Sequence, residues 1–128
     1  MNNYTFYLRR FENYRWQLRA LRAKENEYER IFRDVDEGLI TRDALDPNWQ
    51  DSIQREISGL REQLLLTEGL IDLIPETPEM FPCRLFLRLH YILGYSLTYT
   101  AEELNVSLTT LRRIRQRCRD FFDECPPI

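Results

Sequence analysis

Arg112, Arg113, Arg115 and Arg117 put four guanidinium groups into six residues of the stretch ELNVSLTTLRRIRQRC, residues 103–118. A guanidinium is a permanent cation with a rigid fork of donors, suited to phosphate oxygens and to the acceptor edge of guanine. The same four arginines would also suit a solvated surface helix, so their phase against the apolar residues decides between the two. Leu111, Ile114, Cys118 and Phe121 or Phe122 recur at helical spacing on one face. Thr109, Arg112, Arg113 and Gln116 fall on the other face, near the helix start, where a recognition helix meets base edges. Arg115 and Arg117 lie to the sides, placed for phosphates. Basic and apolar residues are sorted into faces, as insertion into a groove requires.

Other chemistry finds little footing. His90 is the single histidine, on a short apolar segment, and reads as a rim residue or a neighbour of phosphate. Cys83, Cys118 and Cys125 are an odd set without metal-ligand spacing, so neither a disulfide framework nor a zinc site is expected, and a reducing cytoplasm is the expected compartment. The carboxylates are spread over polar helix positions, and no glycine-rich phosphate loop exists. The sequence therefore predicts no enzyme, no cofactor and no metal. The opening MNNYTFYLRR lacks an apolar signal core, and no apolar run approaches the roughly 20 residues that cross a bilayer, so neither export nor a membrane partner is expected.

Charge is distributed unevenly. Residues 83–128 hold seven arginines against five acids, so the first 82 residues carry a net −5 within the overall −3. A polyanion would be bound at the C-terminal end.

The elements that must position these arginines are helical. Tyr4, Tyr7, Phe11, Tyr14, Leu18, Leu21, Glu25, Tyr28, Phe32 and Val35 alternate at steps of three and four, with Glu25 the one polar member. That is a heptad stripe on a helix roughly 50 Å long at 1.5 Å per residue. Gly38 ends it, Asp46 can cap a second helix, and Pro47 suits its first position. Ile53, Ile57, Leu60, Leu64, Thr67, Ile71 and Ile74 repeat the rhythm, and two such helices joined by a short loop predict an antiparallel hairpin. Leu65, Leu66, Leu70 and Leu73 widen the second stripe and are expected to cover a further surface. Three prolines in IPETPEMFPC break the pattern, Gly94 can end a short apolar helix, and Pro126 and Pro127 stop the last one. The expectation is an all-α chain with helices near 3–35, 47–74, 80–93, 96–104 and 107–123. Its division is a hairpin over 1–75 for oligomerisation or partner docking, a proline-rich linker over 76–82, and a DNA-binding unit over 83–128.

Within that last unit Ser96 and Ser107 can each cap a helix, Ala101 is small where two helices would cross, and Asn105 tolerates a left-handed turn between Leu104 and Val106. These features predict a helix-turn-helix. The stretch RLFLRLHYILGYSLTYTAEELNVSLTTLRRIRQRC resembles DNA-binding region four of sigma factors, with Arg84, Tyr91, Gly94, Ser96, Ala101, Leu104, Val106, Ser107, Thr110, Leu111 and Arg117 at matching positions. LIDLIP at 70–75 is similar to the segment that precedes that motif. With the coiled-coil-like first half, the chain resembles phage and prophage regulators of the ArpU and RinA late-gene type. It departs from the pattern at Tyr99, Thr100 and Asn105, where Glu, Ile and Gly are usual. The resemblance implies a sequence-specific regulator of transcription that binds double-stranded DNA through Ser107, Thr109, Thr110, Arg112, Arg113, Arg115, Gln116 and Arg117. Host RNA polymerase is a second expected partner, and the N-terminal helices are expected to form a homodimer. The competing reading is a sigma-like interaction protein that binds RNA polymerase or a repressor and touches DNA little, which the sequence pI of about 5.3 suits.

Overall fold

The computed structural model describes residues 3–126, and all of their regular structure is helical. Helix α1 spans Asn3–Asp36, α2 Trp49–Ile71, α3 Phe81–Leu87, α4 Leu97–Leu104 and α5 Leu108–Glu124. A short 3-10 turn at Arg42–Ala44 lies between α1 and α2, and a π-helical turn at Arg88–Ile92 continues α3. Among the described residues no helix is long and apolar enough to cross a membrane. Pro127, one of the two expected stops for the last helix, lies outside the described residues.

Helix ends follow local chemistry. Gly38 takes φ +75° just past α1, a conformation that costs a side chain with a Cβ far more than glycine. Asp46 accepts from the Asn48 N–H at 2.8 Å at the entry to α2. The α2 segment expected to reach residue 74 closes at Ile71, after which Asp72, Leu73 and Ile74 donate three residues back in tight turns. Pro75 follows and cannot continue a helix.

The chain forms two compact units, one of residues 16–65 and the other of residues 3–15 with 66–126. The first turns of α1 pack on α5.

In the unit of residues 16–65, α1 and α2 run antiparallel. Lys24 pairs with Glu56 at 2.8 Å and Arg61 with Glu25 at 3.0 Å, while Gln50 and Gln54 both donate to the Tyr28 hydroxyl. Glu25, the polar member of the heptad stripe, is thus held by a cation across the pair. Exposed ion pairs of this kind each contribute only about 0.2–1 kcal/mol. Burial of Leu21, Ile53, Ile57 and Leu64 and the ring cluster of Tyr28, Phe32 and Trp49 hold the pair more firmly.

In the other unit, Tyr4, Tyr7, Phe11 and Tyr14 bury one face of α1. The Phe122 ring of α5 lies 4.9 Å from that of Tyr7 and 5.8 Å from that of Phe11, and Phe11 also meets Tyr91 at 5.7 Å. Asp123 accepts from the Tyr4 N–H at 2.9 Å, and its carbonyl accepts from the Asn3 amide at 3.1 Å. That supplies a partner, and a negative charge, at the start of α1 where N–H groups lack acceptors. Tyr14 donates to Glu68 at 2.8 Å. Leu70, Ile71 and Ile74 are buried, but Leu65, Leu66 and Leu73 stay exposed, so only Leu70 of the four widening leucines is covered.

Replacing Phe122, which is 1% exposed, by Ala is expected to cost about 3–5 kcal/mol in urea unfolding, with helix content otherwise kept. Tyr14 gives a pH signature. Burial, and donation to Glu68, push its phenol up to about 12 from the ordinary 10.0. A raised folded pKa favours the protonated form, so its contribution is complete below the unfolded value and fades as pH climbs from about 10 toward 12. The unfolding midpoint should fall over that window, and Tyr14→Phe should flatten part of the fall.

Candidate nucleic-acid interface

Helices α4 and α5 are joined by Asn105, Val106 and Ser107. Asn105 stands at φ 56°, ψ 46°, the left-handed region, and its N–H donates to Glu102 while that of Val106 donates to Ala101, both at 3.0 Å. Those two bonds are the Schellman pattern, which satisfies carbonyls that the end of a helix leaves open. Asparagine in place of glycine is therefore accommodated at this turn.

Both expected caps form. Ser96 Oγ accepts from the Tyr99 N–H and Ser107 Oγ from the Thr110 N–H, each at 3.1 Å. The Ser107 hydroxyl also donates to Thr110 Oγ1, so these two side chains hold the start of α5 together. Thr100 is 0% exposed, and its hydroxyl donates to the Ser96 carbonyl at 2.7 Å, so the polar group at a core position is satisfied. Tyr99 is exposed and packs edge-on against Tyr95 at 4.7 Å.

The core beneath the helix pair is made by Cys83, Phe86 and Leu87 of α3 with Ala101 of α4 and Leu111, Ile114, Cys118 and Phe122 of α5, all buried. Cys83 and Cys118 are free thiols that meet across α3 and α5, where each sulfur lies 3.7 Å from a backbone carbonyl of the opposite helix. The hydrogen bond to Cys83, together with burial, pushes the Cys118 thiol up, which keeps it neutral. At the far end of α3, Gly94 takes φ +80°, and a Cβ there would come within 3.0 Å of Arg15 Nε. Arg15 lies so close because it donates to the Ile92 carbonyl at the end of the π-helical turn.

With α5 seated this way, Ser107, Thr109, Arg112, Arg113, Arg115, Gln116 and Arg117 are all exposed, and Thr110 is half-buried. Among the described residues Arg112, Arg113 and Arg115 have no carboxylate partner and no hydrogen bond, so their guanidinium groups face water. Arg117 reaches the Glu79 carbonyl at 3.4 Å. Gln116 is not free, since its amide donates to Asp120 Oδ1 at 2.9 Å. The other basic residues of the region divide differently. Arg84, with a side chain only 17% exposed, binds Asp72, Glu76 and the Ile74 carbonyl, fastening the end of α2 to α3. Arg119 covers the Tyr4 ring at 4.8 Å. Arg88 is exposed. His90 stacks on Phe86 and has Nδ1 2.7 Å from the Tyr95 carbonyl, so it serves the packing of the π-helical turn.

Two features of this surface were not read from the sequence. Asp120 sits on the outward face one turn beyond Gln116, a relation visible in the i, i+4 spacing of an amide and a carboxylate. A hollow of about 290 Å³ opens beside α5, lined by Leu85, Leu104, Val106 and Ile114 with Arg113 and Arg117. No local spacing marks the hollow, because α3, the turn and α5 contribute to it from distant parts of the chain.

No protein-family model, curated protein or solved structure matches this chain.

The turn and its caps make a graded prediction for stability. Ser107→Ala should cost about 1 kcal/mol through loss of the cap. Asn105→Gly should be tolerated, whereas Asn105→Val should cost about 1–2 kcal/mol because a branched side chain is strained at positive φ. Thermal unfolding of the three variants checks the order, and equal loss for Gly and Val would refute the role given to the turn.

Proposed function

We propose that this chain is a sequence-specific regulator of transcription, of phage or mobile-element origin and sigma-region-four-like in kind, that binds double-stranded DNA with α5 in the major groove. One observation carries the reading. The helix pair is capped twice by serine and turned at a left-handed Asn105, and it exposes Arg112, Arg113 and Arg115, which have no hydrogen bond or carboxylate partner among the described residues, while the apolar side of α5 is buried. A structural arginine would be paired or packed, as Arg84 and Arg119 are. Thr109, Arg112 and Arg113 stand near the helix start, where side chains reach base edges. Arg115 and Arg117 flank them and meet phosphates. Ser107 and Thr110 fix the first turn, whose N–H end favours an anion. Gln116 reads a base only after releasing Asp120.

A second role fits the same chain. Leu65, Leu66 and Leu73 are large, apolar and exposed, which suits a homodimer built through the N-terminal helices or docking to RNA polymerase. If duplex binding is absent, this reading as an interaction protein stands alone.

Binding of alanine variants to specific and random duplexes at several salt concentrations separates the roles. Arg112→Ala or Arg113→Ala should cost about 1–3 kcal/mol at the best site and relax sequence preference. Arg115→Ala or Arg117→Ala should weaken all duplexes about equally and make the salt dependence shallower by roughly one unit. Parent-like binding by all four variants would leave α5 as a solvated surface.

A further inference from the structure

We propose that the hollow beside α5 receives the Leu39 loop of a second copy of this chain. Leu85, Leu104, Val106 and Ile114 line the receptor together with Pro82, Thr110, Arg113 and Arg117, so apolar and cationic groups share its wall. Its volume of about 290 Å³ lies just below the range of roughly 300–1,000 Å³ that small-molecule sites occupy. It leaves room for the tip of a loop with one large apolar side chain. Arg113 has no hydrogen-bond or carboxylate partner among the described residues, and Arg117 makes a single long hydrogen bond, to the Glu79 carbonyl at 3.4 Å. The wall therefore has cationic capacity in hand for an acidic ligand.

The chain carries the matching ligand itself. Leu39 is 70% exposed, more than any other large hydrophobic side chain among the described residues. Residues 34–46 surround it with Asp34, Asp36, Glu37, Asp43 and Asp46 against the single cation Arg42. Gly38, at φ +75°, turns the chain, and the Leu39 N–H is fixed to the Asp34 carbonyl at 2.8 Å. The anchor is thus held out on an ordered turn, which lowers the conformational cost of docking it. An apolar residue in an acidic loop meets an apolar hollow that two arginines help to line, and this charge complementarity names the partner. This contact does not rest on the DNA-binding reading, and it differs from an association through the exposed leucines of α2.

Charge exchange in the full-length chain tests it. One chain carries Arg113→Glu and Arg117→Glu with an affinity tag, and the other carries Asp36→Arg and Glu37→Arg. All four positions are exposed, and circular dichroism should show unchanged helix content in both chains. At low salt the tagged chain should retain the second chain over an equimolar untagged copy of itself by roughly tenfold, since two attractive charge pairs replace two repulsive ones. Adding Leu39→Ser to the second chain should remove most of that preference, because the anchor is lost. Association through any other surface would show only the preference that the opposite net charges of the two chains confer, which Leu39→Ser leaves in place, and equal retention of both competitors overturns the proposal. A preference that survives Leu39→Ser unchanged overturns it as well.

Discussion

Leu111, Ile114, Cys118 and Phe122 recur at steps of three, four and four, and burying all four sets the rotation of α5 about its axis. Cys83 and Phe86 of α3 lie beneath that stripe, and Tyr7 and Phe11 of α1 close over its end at Phe122. Once this side is turned inward, the residues between are carried outward by the 3.6-residue period. The arginines of α5 are exposed because their neighbours are buried. A slip of one residue in this packing would turn Arg112 into the core, where an unpaired cation is prohibitively costly. The presentation of charge is therefore as well determined as the core itself.

Long periodic patterns made much of this legible in advance. The ten-residue stripe from Tyr4 to Val35 shows α1 because each heptad repeats the same evidence, and the end at Asp36 follows from Gly38. Ser96, Asn105 and Ser107 were readable because each has a local chemical reason for its place, an acceptor for N–H groups or tolerance of positive φ. What stayed hidden depends on residues far apart in sequence. Nothing within a heptad tells that Leu70 is covered while Leu65, Leu66 and Leu73 are not. The π-helical turn at Arg88–Ile92 has its last carbonyl bound by Arg15 of α1, a partner far away in sequence. Within the candidate site, the exposed arginines were legible from phase. The restraint on Gln116 by Asp120 is marked in the sequence only by their i, i+4 spacing.

The seven arginines from Arg84 to Arg119 looked alike as sequence and are physically of different kinds. Arg84 neutralises carboxylates at the close of α2, and its half-buried stem adds packing, so its charge is largely compensated where it lies. Arg119 rests on an aromatic face near Asp123, which caps α1. Subtracting such residues leaves a smaller cationic surface than the count suggests, concentrated on the first half of α5. For a protein with an overall charge of −3, that concentration matters more than the total, because a Debye length near 10 Å at 0.1 M salt restricts each charge to its own neighbourhood.

The second half of α5 carries the opposite sign. Asp120, Asp123 and Glu124 follow Arg119, and Asp120 lies on the same outward face as Arg113 and Gln116. A helix laid flat along a groove would bring these carboxylates against phosphates, and the repulsion would cancel part of the attraction gained at the arginines. On the DNA-binding reading, entry by the first two turns alone would avoid this, keeping Thr109, Arg112 and Arg113 at the bases and Asp120 beyond the rim. On that reading the acids set a polarity that the arginines by themselves leave open. There α5 enters end-on with its serine-capped start foremost, and Asp120, which holds the Gln116 amide, limits the depth of entry.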